Sequence, residues 1–445
     1  MIVSIKEISV WIDADYQGDE VAVTGFSIDT RIIRKGDMFV AFEGEHVSGE
    51  SYVAQAFENG AVAALVSHNY SGSQKNVIRV ENTQHALQRI AGAYRKTLPT
   101  RIVAITGSVG KTTTKDVIGK VLASKFNVFK TDGNFNNEIG LPLMLLSIEK
   151  EHEWAVLELG MNHYGELALL SELTNHDIAV ITNIGTAHIE FFGSKENILK
   201  AKLEIASTLK EDQILLLNGC DPLLNTIESD TFKIERVGDP TRDSIYAKNI
   251  RIGSDTTQFD LVANHVVKTV TLPLIGEHHV GNALLAVNIG LRLGLDLDEI
   301  VKSLRNVDVP KMRFESVEKS GIIFINDAYN ASLDSIIASV STFEKMPIGN
   351  RLVILGDVFE CGDWSQTIHC EIGRSLNGFG VDLICFVGLA MKHAFDAYSG
   401  EKKYFQSKSE CLEWLNRSLC AGDHVLLKAS RGMKLETLIE EYEGV

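Results

Sequence analysis

Apolar residues along this chain fall into short runs separated by segments with helical spacing. From residue 101 the runs Ile102–Ile105, Trp154–Leu159, Ile178–Ile184 and Ile214–Leu217 have strand length, and helical patterns lie between them. Apolar strands that alternate with helices predict a mostly parallel sheet with helices on its faces. The pattern returns near Arg313, with strands at Ile322–Ile325, Leu352–Leu355, Leu383–Val387 and His424–Leu427, which predicts a second open α/β sheet. The first part is finer-grained. Val21–Val23 and Met38–Phe42 read as strands, Ser51–Gly60 as a helix ending at glycine, and Ala61–Val66 as a buried strand. Residues 245–275 read as a β-rich insertion, followed by a helix from Gly281 to Leu293. Leu98-Pro99-Thr100 breaks the pattern and marks a boundary. The chain thus divides into 1–98, 99–312 and 313–445, an all-α/β protein of three domains, and its 445 residues suit about three domains of ordinary size.

Residues 106–115, Thr-Gly-Ser-Val-Gly-Lys-Thr-Thr-Thr-Lys, follow the first strand of the second domain directly. Strand, glycine loop and helix make a phosphate cradle. Gly107 and Gly110 let backbone N–H groups of the loop, Ser108 included, approach phosphate oxygens. Lys111 brings a point charge, Thr112 brings a hydroxyl for Mg²⁺, and Thr113 continues the helix start. The loop is a short form, since Ile105 stands where the longest pattern has its first glycine. The segment predicts a nucleoside triphosphate as substrate.

Composition narrows the partners. Lys+Arg number 43 and Asp+Glu 59, a net charge of −16, which argues against nonspecific binding to nucleic acid or anionic membranes. No apolar run approaches the ~20 residues of a membrane span, and the first residues lack a leader pattern. The six cysteines include no CxxC pair, which fits reduced thiols in a cytoplasmic protein.

Several residues stand at positions that suit chemistry. Glu158 ends the strand Trp154–Leu159 beside Gly160, where a carboxylate suits a hard cation or is a plain strand-end acid. His188 lies just past the strand Ile178–Ile184, as a metal ligand or a structural histidine. Lys202 is more unusual. Ser194 can cap a helix over 195–208, and at about 100° per residue Ile198, Leu199, Ala201, Leu203, Ile205 and Ala206 form one apolar arc that contains Lys202. A buried ammonium is costly unless paired or altered. Lys202 therefore reaches a phosphate or acid, or is carbamylated by CO₂, or snorkels from the edge of the arc. Lys195, in the first turn, is expected to escape to solvent. The loop Gly133–Gly140, the helix start at Gly276–Ala283 and Asp327 after a strand each have a ligand reading and a turn or cap reading. Arg31 in Ser27-Ile28-Asp29-Thr30-Arg31 can pair with a diphosphate.

These segments in this order resemble the Mur ligase family of peptidoglycan synthesis. The likeness rests on SxDTR with GDMFVAF, TGSVGKTTTK, GNFNNEIGLP, LELGMN, TNIGTAHIEFFGS, KAKLEI, GEHHVGNALLA, MRFE, NDAYNAS, LGDVFE and KASRGMK, and spans nearly the whole chain. It implies a UDP-binding domain, a central phosphate-loop ATPase domain and a Rossmann-like C-terminal domain. It implies ATP, two Mg²⁺ ions, and a carbamylated Lys202. Thr112, Glu158, His188 and Lys202 would serve the metal, with Lys111, His188 and Lys202 central to catalysis. Asn137 would face the γ-phosphate, His278 and Asn282 the adenine, and Arg313 and Asp327 would reach ATP. Ser27, Thr30, Arg31, Asn330 and Arg431 would hold the other substrates. The implied reaction joins D-alanyl-D-alanine to UDP-N-acetylmuramoyl-tripeptide in the cytoplasm, in a monomer with no nucleic-acid partner. Two other readings stand beside it: an earlier-step ligase adding meso-diaminopimelate or lysine, and a weakly catalytic UDP-sugar-binding homologue. The chain departs from the family pattern at Ser332-Leu333, Val47–Glu50 and His278-His279.

Overall fold

The computed structural model describes residues 2–44 and 47–444. The chain forms two compact units, one of residues 1–105, 126–179 and 203–214, the other of residues 106–125, 180–202 and 215–445.

In the first unit, strands Gly25–Ser27, Asp37–Val40, Ala63–Ser67 and Val77–Val80 form a parallel sheet in that order. Phe39, Val53, Ala56, Ala64 and Val66 pack its core. The expected helix over 51–60 is split into a 3₁₀ turn Gly49–Tyr52 and an α-helix Val53–Glu58. The cause is local: the Ser48 hydroxyl accepts the Glu50 N–H and starts a tighter turn early. Asn82 caps the helix Thr83–Lys96, which buries Leu87, Ile90, Ala91 and Tyr94 and carries Arg95 and Lys96 at its negative end. The same unit holds a parallel group in which Trp154–Glu158 pairs with both Arg101–Thr106 and Val128–Lys130. Trp154–Glu158 and residues 102–106 are buried along their length, as continuous apolar runs require, while Val128–Lys130 is only partly covered.

In the second unit, the helix Lys111–Leu122 packs against the helix Glu277–Arg292. The second helix begins at Glu277 rather than at Gly281, because Gly276 turns the chain at φ +130°. Residues 245–272 form the expected β-rich piece, an antiparallel sheet of Ile245–Ile252, Thr257–Ala263 and Val266–Leu272. The C-terminal sheet runs Glu315–Lys319, Ile322–Asn326, His424–Lys428, Arg351–Gly356, Leu383–Val387, Lys402–Phe405, antiparallel only at its first pair. Phe324, Ile354, Val387, Val425 and Leu427 lie in its core. The loops after Asn326, Gly356 and Lys428 leave from the same ends of parallel strands, where open α/β sheets bind ligands. Among the described residues no helix is long and apolar enough to cross a membrane.

Candidate functional site

Residues 107–110 turn directly out of the strand Arg101–Thr106. Gly107 takes φ +150°, and a Cβ there would stand 1.8 Å from Thr182 Oγ1, so the turn requires glycine. Gly110, at φ +86°, opens the helix Lys111–Leu122 with no side-chain cap. The helix start therefore offers backbone donors and the positive end of its dipole to an anion. The loop is pinned from one side. Ser108 N donates to Asn183 O (3.1 Å) and Val109 N to Asn183 Oδ1 (2.9 Å). Thr182 Oγ1 donates to Val109 O (2.6 Å), and Gly185 N to Ser108 Oγ (2.8 Å). Thr182 and Asn183 escaped the sequence reading, although both stand in TNIGTAH. Lys111 Nζ donates to Gly107 O at 2.8 Å, so its ammonium already lies over the loop, and Thr113 is buried.

Neighbouring elements converge on this loop. Asn282 is buried, and its Oδ1 would be 3.1 Å from a Cβ on Gly110. The His279 ring lies 4.0 Å from that of His278, and burial drives the His279 imidazole well below its ordinary pKa, so it is neutral. His278 is on the exposed side of the helix start. Arg313 donates to Thr112 Oγ1 at 3.0 Å while its guanidinium lies 4.2 Å over the Tyr329 ring, which fixes its plane. Asp327 is engaged: Lys428 Nζ (2.6 Å) and Ser339 Oγ (2.5 Å) both donate to its Oδ2.

A cavity of about 190 Å³ brings Ser108, Lys111 and His188 together with Asn330, Glu360 and Arg431. His188 sits past its strand at φ +64°, with Nδ1 2.9 Å from Glu360 Oε2 but out of line for a hydrogen bond. Arg431 donates to Glu436 Oε1 at 2.5 Å. Lys202, on the helix Lys195–Leu203, is 1% exposed. No hydrogen bond or carboxylate holds its ammonium among the described residues, and desolvation, then the Lys111 charge, lowers its pKa well below the ordinary lysine value. The helix wheel is borne out on burial, and the snorkelling alternative is not. Lys195 is 41% exposed in its side chain, as its first-turn position leads one to expect, and it also pairs with Asp334 Oδ1 at 2.9 Å.

Five predicted residues lie in the first unit. Glu158 is buried, and its Oε1 accepts from Asn136 Nδ2 at 2.8 Å. Asn136 was missed, although it adjoins Asn137. Asn137 Oδ1 itself accepts the N–H groups of Ile139 and Gly140, a local turn that leads into the helix Gly140–Ser147. Ser27 Oγ donates to Asp29 O, the Thr30 carbonyl accepts from Asn59, and Arg31 forks onto Asp29 at 2.6 Å. Arg31 is 86% exposed in its side chain.

A phosphate loop beside an open α/β sheet, with a buried lysine following a strand-tip histidine, defines a nucleotide-dependent ligase class. Residues 22–95 match the Mur ligase family catalytic domain, 105–290 the Mur ligase middle domain, and 312–431 the Mur ligase glutamate ligase domain. The chain belongs to the Mur ligase family. It is 38% identical over 440 residues to the UDP-N-acetylmuramoyl-tripeptide–D-alanyl-D-alanine ligase of Bacillus subtilis (strain 168), covering 96% of this chain and 95% of the relative. Among solved structures it is similar to MurF from Acinetobacter baumannii, with a TM-score of 0.93, 30% identity and 99% of each chain covered. It is also similar to the MurF ligase of Thermotoga maritima in complex with ADP, with a TM-score of 0.85, 29% identity and 94% and 97% coverage. The fold is the three-domain α/β fold of these ligases.

Proposed function

We propose that this chain is an ATP-dependent, ADP-forming ligase that joins D-alanyl-D-alanine to UDP-N-acetylmuramoyl-tripeptide in the cytoplasm. The observation that carries the reading is the cavity in which phosphate-loop residues Ser108 and Lys111 face Asn330 and Arg431 from C-terminal strand ends. An anhydride-activating wall and a second-substrate wall share one space there. Relatives of the same name over nearly the full length support it. The domain division 1–98, 99–312 and 313–445 belongs to this reading.

In this mechanism the terminal carboxylate of the tripeptide attacks the ATP γ-phosphorus, and ADP leaves. The amine of D-alanyl-D-alanine then attacks the acyl phosphate, and a tetrahedral intermediate collapses to the amide and phosphate. Lys111 and the N–H groups at the start of its helix hold the triphosphate in place for in-line attack. Arg313 steadies Thr112 from the far side. Asn282 and His278 contact the base. Ser27, Thr30 and Arg31 grip the sugar nucleotide once Arg31 leaves Asp29. Water must be kept from this cavity while the acyl phosphate stands, or the intermediate hydrolyses.

The residues fit magnesium on one condition. Among the described residues no three of His, Cys, Asp and Glu cluster as a metal site. A carbamate on Lys202 would supply the missing oxygen donors with Thr112 and His188, and the family resemblance names Glu158 as a further ligand. Burial favours that chemistry, because it shifts the lysine toward its neutral amine. The neutral nitrogen adds to CO₂ and sheds a proton, which replaces an unpaired buried amine by an anion that a cation can hold. Bound Mg²⁺ would offset repulsion between the carboxylate and the phosphates.

The test is phosphate release from Mg-ATP with a UDP-N-acetylmuramoyl-tripeptide, with and without D-alanyl-D-alanine, and products weighed by mass spectrometry. Release that needs both substrates and yields the pentapeptide supports the reading. No release with either the lysine or the diaminopimelate tripeptide overturns it.

A further inference from the structure

Asp334 stands in the first turn of the helix Leu333–Lys345, which Ser332 caps through a reciprocal pair with Ser335. Its carboxylate leaves that helix and takes three donors from a distant stretch of chain. Thr186 N (2.6 Å) and Thr186 Oγ1 (2.7 Å) donate to Oδ2, and Lys195 Nζ (2.9 Å) to Oδ1. The approach is close because Gly185 has no side chain: a Cβ there would be 2.7 Å from Asp334 Oδ2.

These partners bracket functional residues. Thr186 is two positions before His188, which holds a left-handed backbone at φ +64°. Lys195 opens the helix whose last turn carries Lys202. One carboxylate therefore fixes both the entry to the His188 turn and the start of the Lys202 helix. A charge taking a backbone N–H, a hydroxyl and an ammonium at once is worth more than a lone exposed ion pair, because the geometry is over-determined. The Ser332 cap keeps the acid itself from swinging away.

We infer that Asp334 is a positioning residue, which sets where His188 and Lys202 stand by clamping Thr186 and Lys195. It touches no substrate. The inference rests on the ligase reading for its kinetic consequences, but not for its structural one.

The test compares wild type with Asp334→Ala, Asp334→Asn and Lys195→Met. The readouts are amide hydrogen exchange at Thr186 without substrates, and the Mg²⁺ concentration for half-maximal ligation. Asp334→Ala is expected to speed Thr186 exchange at least tenfold and to raise the Mg²⁺ requirement by about 10- to 100-fold, the usual range for outer-sphere support. KM for ATP should move much less, because the phosphate loop keeps its own bonds to Asn183. Asp334→Asn keeps an acceptor for Thr186 but loses the ion pair, so it should protect the amide and raise the Mg²⁺ requirement only slightly, as should Lys195→Met. Asp334→Ala with wild-type exchange and wild-type Mg²⁺ dependence overturns the inference. If Asp334→Ala fails to fold, the other two variants decide through their Mg²⁺ dependence: neither raising the requirement above wild type overturns it equally. If wild type does not ligate, the ligase reading fails, and Thr186 exchange alone still decides whether the clamp exists.

Discussion

The phosphate loop region and the Ser27–Arg31 turn both carry polar residues suited to anions, yet they are built in opposite ways. Around the loop, polar groups are buried and incompletely satisfied. Among the described residues Lys202 has no acid beside it, and the Thr106 and Thr114 hydroxyls are buried with no hydrogen-bond partner. In the turn, the groups already satisfy one another, with the exposed Arg31 on Asp29 and the buried Ser27 hydroxyl on the Asp29 backbone. Buried groups left short of partners cost stability and persist where something else completes them. Exposed, self-paired groups cost nothing and must break their own bonds to receive a ligand. The first region is a socket awaiting contents, and the second is a switchable surface.

The largest effect expected from this difference is at Lys202. Replacing it with Ala should lower kcat by about 10³-fold, the size lost when a preorganised charge at the reacting group is removed. A short carboxylic acid added to that variant should restore part of the rate by standing in for the carbamate. Steady-state kinetics with and without formate or acetate measure this. Full activity in the variant would break the socket argument at its centre.

A buried group away from any proposed site sharpens the contrast. His176 is fully buried, its Nδ1 is 2.9 Å from Thr174 Oγ1, and Nε2 faces the Ile205 backbone without an aligned hydrogen bond. Desolvation pushes its pKa from 6.5 down to about 4. A histidine depressed in the folded state favours folding fully above its unfolded pKa, and loses that advantage as pH falls. Unfolding takes up a proton between about pH 6.5 and 4, so stability should fall by about 1.4 kcal/mol per unit, ~3 kcal/mol in all. Urea unfolding at several pH values should show this slope, and His176→Gln should flatten it. An unchanged slope in the variant would assign the acid sensitivity elsewhere.

How much of this was legible depended on the reach of each contact. The phosphate loop, the parallel strands and the burial of Lys202 follow from patterns within about twenty residues, where periodicity and turn chemistry act. Asp334 and Glu360 could not be read. Asp334 meets Thr186 across 148 positions, and nothing local distinguishes it from any acid in a first helical turn. The Asp334 partner of Lys195 was hidden for the same reason, since it lies 139 positions away. Asn137 shows the reverse: its turn onto Ile139 and Gly140 is local, and competes with the phosphate role drawn from resemblance.

Gly107→Ala tests the socket's shape rather than its charge. The new Cβ would collide with Thr182 Oγ1, which itself donates to Val109 O, and alanine resists φ +150°. Strain of this kind costs about 1–3 kcal/mol, so Tm should fall and ATP binding by calorimetry should weaken, while the Ser27–Arg31 turn keeps its UDP-sugar affinity. Equal loss of both affinities would mean the two regions are not independent.

The smallest effect is expected at the turn, and its sign is the informative part. Arg31→Ala should raise KM for the UDP-sugar by about tenfold, the low end for a charge-assisted hydrogen bond, with Tm unchanged because the guanidinium is exposed. Asp29 bears on whether the arginine must first let go. Its carboxylate, held by Arg31, is lowered to about 2 and stays ionised throughout. Asp29→Asn keeps an acceptor for the Arg31 N–H that starts the 3₁₀ turn, but removes the competing charge. If the turn is a switchable surface, that variant lowers KM while Arg31→Ala raises it. Two variants that both leave KM alone would place the sugar nucleotide elsewhere and reduce the turn to the self-satisfied loop it resembles.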